Sequence, residues 1–187
     1  MSKSWRGLAL AMVVFSPVAE AKELVEPWSA TLYAGPAVNR WVTTILGGNI
    51  KPNGAMLGLA LDGRIARLTS KLSLAGEVQF TQFAFGVNYS TVSGGIGVRY
   101  DGSTWGVPTT FAIYTGPSYA SASPLIYPYG GKMPRFVNYV GFEAGATLLN
   151  SKYDVVVRMF HRSGAWGLYS TSADEGSMIG VGLRRRF

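Results

Sequence analysis

Apolar residues in this chain recur at every second position rather than every third or fourth, which is the period of a strand and not of a helix. Runs of about ten residues alternate apolar with small or polar side chains, the length at which a tilted strand crosses a bilayer. Eight such runs occur, at 28–38, 55–64, 72–83, 92–100, 109–119, 136–149, 153–163 and 177–187. In the second, Leu57, Leu59 and Leu61 share one face, while Met56, Gly58, Ala60 and Asp62 share the other. In the third, Leu72, Leu74, Val78 and Phe80 oppose Ser73, Ala75, Glu77 and Gln79. In the sixth, Val140, Phe142, Ala144 and Leu148 oppose Tyr139, Gly141, Glu143 and Thr147. In the last, Ile179, Val181, Leu183 and Phe187 oppose Gly180, Gly182, Arg184 and Arg186. A soluble barrel would turn its apolar face inward. Eight strands enclose too little space for rows of Leu and Phe plus these charges. The pattern therefore predicts an all-β protein, an eight-stranded antiparallel transmembrane β-barrel of the bacterial outer membrane, with its apolar face toward lipid. Asp62, Glu77, Arg99, Glu143, Asp154 and Arg158 then point inward. Both signs are present, so pairing within the lumen is expected, as structural links rather than as an ion path.

The segments between runs fit this orientation. With both termini periplasmic, the connections at about 39–54, 84–91, 120–135 and 164–176 face the exterior and are the longer ones on average. Asn150-Ser151-Lys152 is the clearest periplasmic turn. Trp28, Trp41, Trp105 and Trp166 fall near strand ends, where an aromatic belt belongs. The aromatic terminus Phe187 resembles the signal that outer-membrane proteins present to their assembly machinery. Residues 1–21 read as a secretory signal: Lys3 and Arg6, then an apolar run from Gly7 to Val18, then Ala19-Glu20-Ala21 as the cleavage site. The barrel domain is then 22–187.

Composition narrows the chemistry. There is no cysteine and one histidine, so disulfides, thiolate sites and His-based metal centres are not expected, and no cofactor or metal is assigned. The formal charge is +7. For an exported chain this points to anionic lipid or lipopolysaccharide phosphates rather than nucleic acid. Arg40, Lys51, Lys132 and Arg135 fall in exterior connections, as phosphate contacts or as plain solvated charges. Arg184, Arg185 and Arg186 lie at the periplasmic end, where snorkelling into the interface is expected. Gly94-Gly95-Ile96-Gly97 has no following helix and does not read as a nucleotide loop.

The lone histidine sits in the seventh run as His161, with Ser163 two residues on and Glu175 beyond the next connection. Residues i and i+2 of a strand share a face at roughly 6–7 Å. Both continue the stripe Tyr153, Val155, Val157 and Met159 and should point outward, near the outer headgroups. Glu175 begins the neighbouring strand at the same end. Ser163 as nucleophile, His161 as base and Glu175 as orienting acid is one reading. An interfacial histidine among ordinary loop residues is the other. Met159, Trp166 and Leu168 could line an acyl groove or simply face lipid.

Phe160-His161-Arg162-Ser163-Gly164, with Glu175 twelve residues past the serine, resembles the C-terminal signature of the outer-membrane lipid A 3-O-deacylases of the PagL type. The resemblance implies an eight-stranded barrel and a His161, Ser163, Glu175 triad. It also implies hydrolysis of the ester-linked 3-position acyl chain of lipid A in lipopolysaccharide. Outer-membrane lipid as surroundings and a homodimer are family expectations as well. Where that family often has Asn after the serine, this chain has Gly164, whose backbone N–H, or a neighbour's, is the expected oxyanion donor. A non-enzymatic small barrel, structural or adhesin-like, is the alternative; a lipid acyltransferase is the weaker third.

Overall fold

The computed structural model describes residues 28–38, 52–84, 88–123, 125–126, 131–132, 134–148, 151–165, 167–169 and 176–187. Among the described residues ten strands form: β1 (Ser29–Val38), β2 (Pro52–Arg67), β3 (Leu72–Ala84), β4 (Tyr89–Thr104), β5 (Val107–Ala120), β6 (Leu125–Ile126), β7 (Gly131–Lys132), β8 (Phe136–Thr147), β9 (Tyr153–Ser163) and β10 (Gly176–Arg186). Eight close into a barrel in the order β1-β10-β9-β8-β5-β4-β3-β2, and β6 pairs only with β7. Every ladder is antiparallel. The small β6–β7 hairpin stands in the exterior connection between β5 and β8.

The alternation read from sequence decides which side each residue takes. Leu57, Leu59 and Leu61 are exposed on the outer wall, and Met56, Ala60 and Asp62 are buried inside. Val181 and Leu183 face out while Arg184 is buried. Strands β2 and β4 run longer than their alternation suggested. In β2 the register shifts between Arg64 and Ala66, which breaks the period there. Strand β4 runs through the polar Gly102-Ser103-Thr104, paired with Val107–Thr109 of β5. Trp105 and Gly106 make the two-residue turn between them with φ of 50° and 81°, the positive-φ pair that a tight hairpin needs. The glycine run 94–97 lies mid-strand, where a Cβ on Gly97 would collide with the Ile113 carbonyl oxygen.

The lumen is filled rather than open. Arg158 binds Glu77 and, at 3.0 Å, Glu143. Arg184 binds Glu143 and, at 2.8 Å, Asp154. Arg99 binds Asp62, donates to the Tyr114 hydroxyl at 3.0 Å, and stands 3.9 Å from Glu143. Glu143 is thus the hub of three arginines. Removing one partner of such a buried set costs about 3–5 kcal/mol. Arg184 corrects the snorkelling expectation, because β10 turns it inward onto the hub. Arg185 keeps the exposed role, its guanidinium 5.1 Å from the Phe187 ring. Above the ion layer the interior becomes aromatic: Phe83 stacks on Tyr89 and Phe160, and Phe160 on Tyr139.

Candidate active site

Strand β9 continues its alternation to its exterior end. Phe160 and Arg162 face the lumen; Phe160 joins the interior aromatics, and Arg162 Nε donates to the Ser118 hydroxyl at 2.9 Å. His161 and Ser163 therefore belong to the outer wall, as their parity implied. The register sets Asn138 of β8 opposite Ser163, and Ser177 of β10 opposite His161. Directly opposed residues put their side chains on one face. Thr115 of β5, also on an outward position, is hydrogen-bonded to Asn138. Four strands thus turn polar at the same height of an otherwise apolar wall.

The patch is partly covered. Outward residues lower on the same strands, Val157 and Val181, are 45 % and 60 % exposed; His161 is 9 % and Ser177 0 %. The turn after β9 folds back toward β8. There Leu168 N–H donates to the Ala165 carbonyl at 3.1 Å and Tyr169 N–H to the Gly164 carbonyl at 3.0 Å. Ala165 and Gly167 take φ of 49° and 93°, so the chain curls tightly. Tyr169 comes to rest 5.6 Å from the ring of Phe136, an outer-wall residue two positions from Asn138.

His161 Nδ1 lies 3.1 Å from the Ser177 hydroxyl. With Nδ1 protonated and donating to that oxygen, Nε2 is the basic nitrogen. The Ser163 hydroxyl oxygen accepts a long contact from the Ala165 N–H at 3.4 Å. Gly164 is buried. Glu175 lies outside the described residues; it immediately precedes Gly176, which stands opposite Arg162. Trp166, Arg40, Trp41, Lys51 and the 1–21 segment lie outside them too, as does the Lys132 side chain. Arg135 is exposed, yet its Nε donates to the Ala120 carbonyl at 2.9 Å and its guanidinium lies 4.9 Å over the Tyr119 ring. Among the described residues, no group of three or more His, Asp or Glu is arranged to hold a metal ion.

Below the patch the outer wall is grooved. A depression of about 740 Å³ runs across β4, β5, β8, β9 and β10, bordered by Val98, Phe111, Phe142, Ala144, Met159 and Ile179. Met159 and Ile179 oppose each other two residues below His161 and Ser177, so the groove opens directly under the patch. The sequence singled out Met159 for this surface; Leu168 is exposed in the turn instead. Asn138, Ser177 and Thr115 were missed. Their signal was present: Asn138 and Thr115 interrupt the apolar stripes Phe136 to Phe142 and Phe111 to Tyr119, and Ser177 stands at the head of the stripe Ile179 to Leu183.

No protein-family model matches the sequence, and a search of curated proteins gives no match. Among solved structures, the outer membrane enzyme PagL superposes with a TM-score of 0.58 at 16 % identity, over 85 % of this chain and 98 % of PagL. Ail, the attachment invasion locus protein of Yersinia pestis, gives a TM-score of 0.43 at 15 % identity, over 87 % and 100 %. The fold is that of an outer-membrane β-barrel. Its apolar outer wall and charged lumen are consistent with a place in the bacterial outer membrane.

Proposed function

We propose that this chain is an outer-membrane esterase that hydrolyses the ester-linked 3-position acyl chain of lipid A in lipopolysaccharide. One observation carries the reading. A histidine and a serine share one face of the membrane-facing wall, a hydroxyl stands at the imidazole Nδ1, and an apolar groove opens beneath them. Polar side chains on a lipid-facing wall are costly unless they have work there. The barrel likeness to PagL, itself described as an outer membrane enzyme, agrees with this reading without deciding it.

In the proposed reaction the acyl chain lies along the groove and its ester reaches the patch. The Ser163 oxygen attacks the carbonyl carbon, its proton passes to His161 Nε2, and the carbonyl π pair moves onto oxygen. Collapse breaks the ester C–O bond, and the sugar oxygen leaves with the proton from His161. Water, deprotonated by His161, then attacks the acyl-serine. The fatty acid departs and Ser163 regains its proton. Ser177 holds the Nδ1 side of the ring. Glu175 is assigned the negative charge that steadies the imidazolium. Lys132 and Arg135 are the cations assigned to the lipid A phosphates. The test is mass spectrometry of lipid A from a host lacking such an activity. The wild-type chain should remove one acyl chain, and Ser163→Ala should not, with both barrels folded by heat-modifiable mobility. Identical lipid A from wild type, Ser163→Ala and empty host would leave the non-enzymatic barrel as the reading.

A further inference from the structure

A serine esterase needs hydrogen-bond donors aimed at the carbonyl oxygen as it becomes negative. Position 164, next to the serine, is a glycine and offers no side-chain donor. A polar side chain stands instead on the neighbouring strand. Asn138 is directly opposite Ser163 in the β8–β9 ladder, and the two side chains share the outer face. It is 8 % exposed, at an outward position flanked by Phe136 and Val140.

The amide is also held in one orientation. Thr115 Oγ1 donates to the Tyr139 carbonyl at 3.1 Å. That leaves the hydroxyl oxygen as an acceptor, and Asn138 Nδ2 lies 3.2 Å from it, with Oδ1 at 3.3 Å. Nδ2 is therefore the end that binds Thr115. One amide hydrogen is used, and the other has no partner among the described residues. Burying an unused amide hydrogen in an apolar wall is unfavourable. A transient oxyanion beside Ser163 would give it a partner. The Ala165 N–H donates to the Ser163 oxygen itself, at 3.4 Å.

We propose that Asn138 is a catalytic residue that donates from Nδ2 to the oxyanion formed when Ser163 attacks an ester, with Thr115 as its positioning residue. This rests on the esterase reading above and adds a side-chain donor to the backbone N–H expected at Gly164 or a neighbour.

The test uses the full barrel in detergent micelles with a 4-nitrophenyl decanoate probe, and heat-modifiable mobility reports folding. Asn138→Ala should lower kcat by about 10²–10³-fold with KM within about threefold. Asn138→Asp keeps the shape but places a charge against the oxyanion, and should lower kcat at least as far. A fluorophosphonate gives a second readout. Ser163 Oγ bonds to phosphorus, the P–F bond breaks, fluoride leaves and the serine proton goes to His161. The phosphoryl oxygen occupies the oxyanion position, so labelling should slow in parallel with kcat. If Asn138→Ala does not fold, Thr115→Val, which releases the amide along with the Tyr139 carbonyl, should still lower kcat by roughly tenfold. Ser163→Ala inactive with Asn138→Ala or Thr115→Val at the wild-type rate would overturn the Asn138 role and leave the esterase reading standing. Turnover unaffected by Ser163→Ala, or absent from the wild type, would overturn both.

Discussion

The barrel carries two sets of polar side chains, one in the lumen and one on the outer wall, built on opposite rules. The lumen set is charged and mutually paired: Glu143 meets three arginines, and each arginine meets a second carboxylate. The outer set, Thr115, Asn138, His161, Ser163 and Ser177, contains no formal carboxylate or guanidinium. Its hydrogen bonds are of ordinary length, such as 3.1 Å between His161 Nδ1 and the Ser177 hydroxyl. Interior charges that neutralise each other make a rigid filling. Neutral polar groups facing lipid add nothing to such a filling, so their place in the wall needs another reason. The difference separates what holds the barrel from what the barrel is proposed to do.

That separation is open to breaking. The largest effect is expected at Ser163→Ala, which should reduce acyl release by at least about 10³-fold without changing urea resistance of the folded barrel. Comparable activity in the variant would remove the distinction. Glu143→Ala should do the reverse. It takes one of two carboxylates from each of three buried arginines and should cost about 3–5 kcal/mol in denaturant unfolding, with the rate per folded molecule within about threefold. Equal stability of this variant and wild type would show that the lumen set is not the structural one. Ser177→Ala should lower kcat by roughly tenfold, since one neutral hydrogen bond to the imidazole is lost. For the same base, activity should decline as pH falls through the imidazole range, because a protonated ring cannot take the serine proton. A rate flat across that range would remove His161 from the chemistry. The smallest effect is expected at Ala144→Phe. It narrows the groove and should shift preference toward shorter acyl chains by a few fold, read by comparing nitrophenyl esters of two lengths.

Much of the fold was legible because side-chain period reports directly on which wall a residue faces. Asp62, Glu77, Arg99, Glu143, Asp154 and Arg158 were all assigned inward, and all are buried there. Arg184 was pulled two ways, by its inward parity and by its place near the terminus; the parity prevailed. The strand ends at Ser103 and Thr104 were hidden because a polar hairpin outside the membrane has no reason to alternate. At the candidate site, His161 and Ser163 drew attention by residue type. Asn138 and Ser177 did not, since they become neighbours only through a register between strands, which no single run reveals. Position 175 remains a proposal of sequence alone.

The closing ladder between β1 and β10 has one further consequence, for the order of assembly. Strand β10 follows every other strand in the chain and carries Arg184, half of the compensation for Glu143 and Asp154. Until it docks, Asp154 lacks both of its arginine partners, Arg184 and Arg186, and Glu143 lacks Arg184. A sheet of seven strands would carry surplus negative charge on its concave side and two open edges, and would resist entering the bilayer. The final strand therefore acts as a checkpoint: closure and the pairing of Asp154 arrive in the same step.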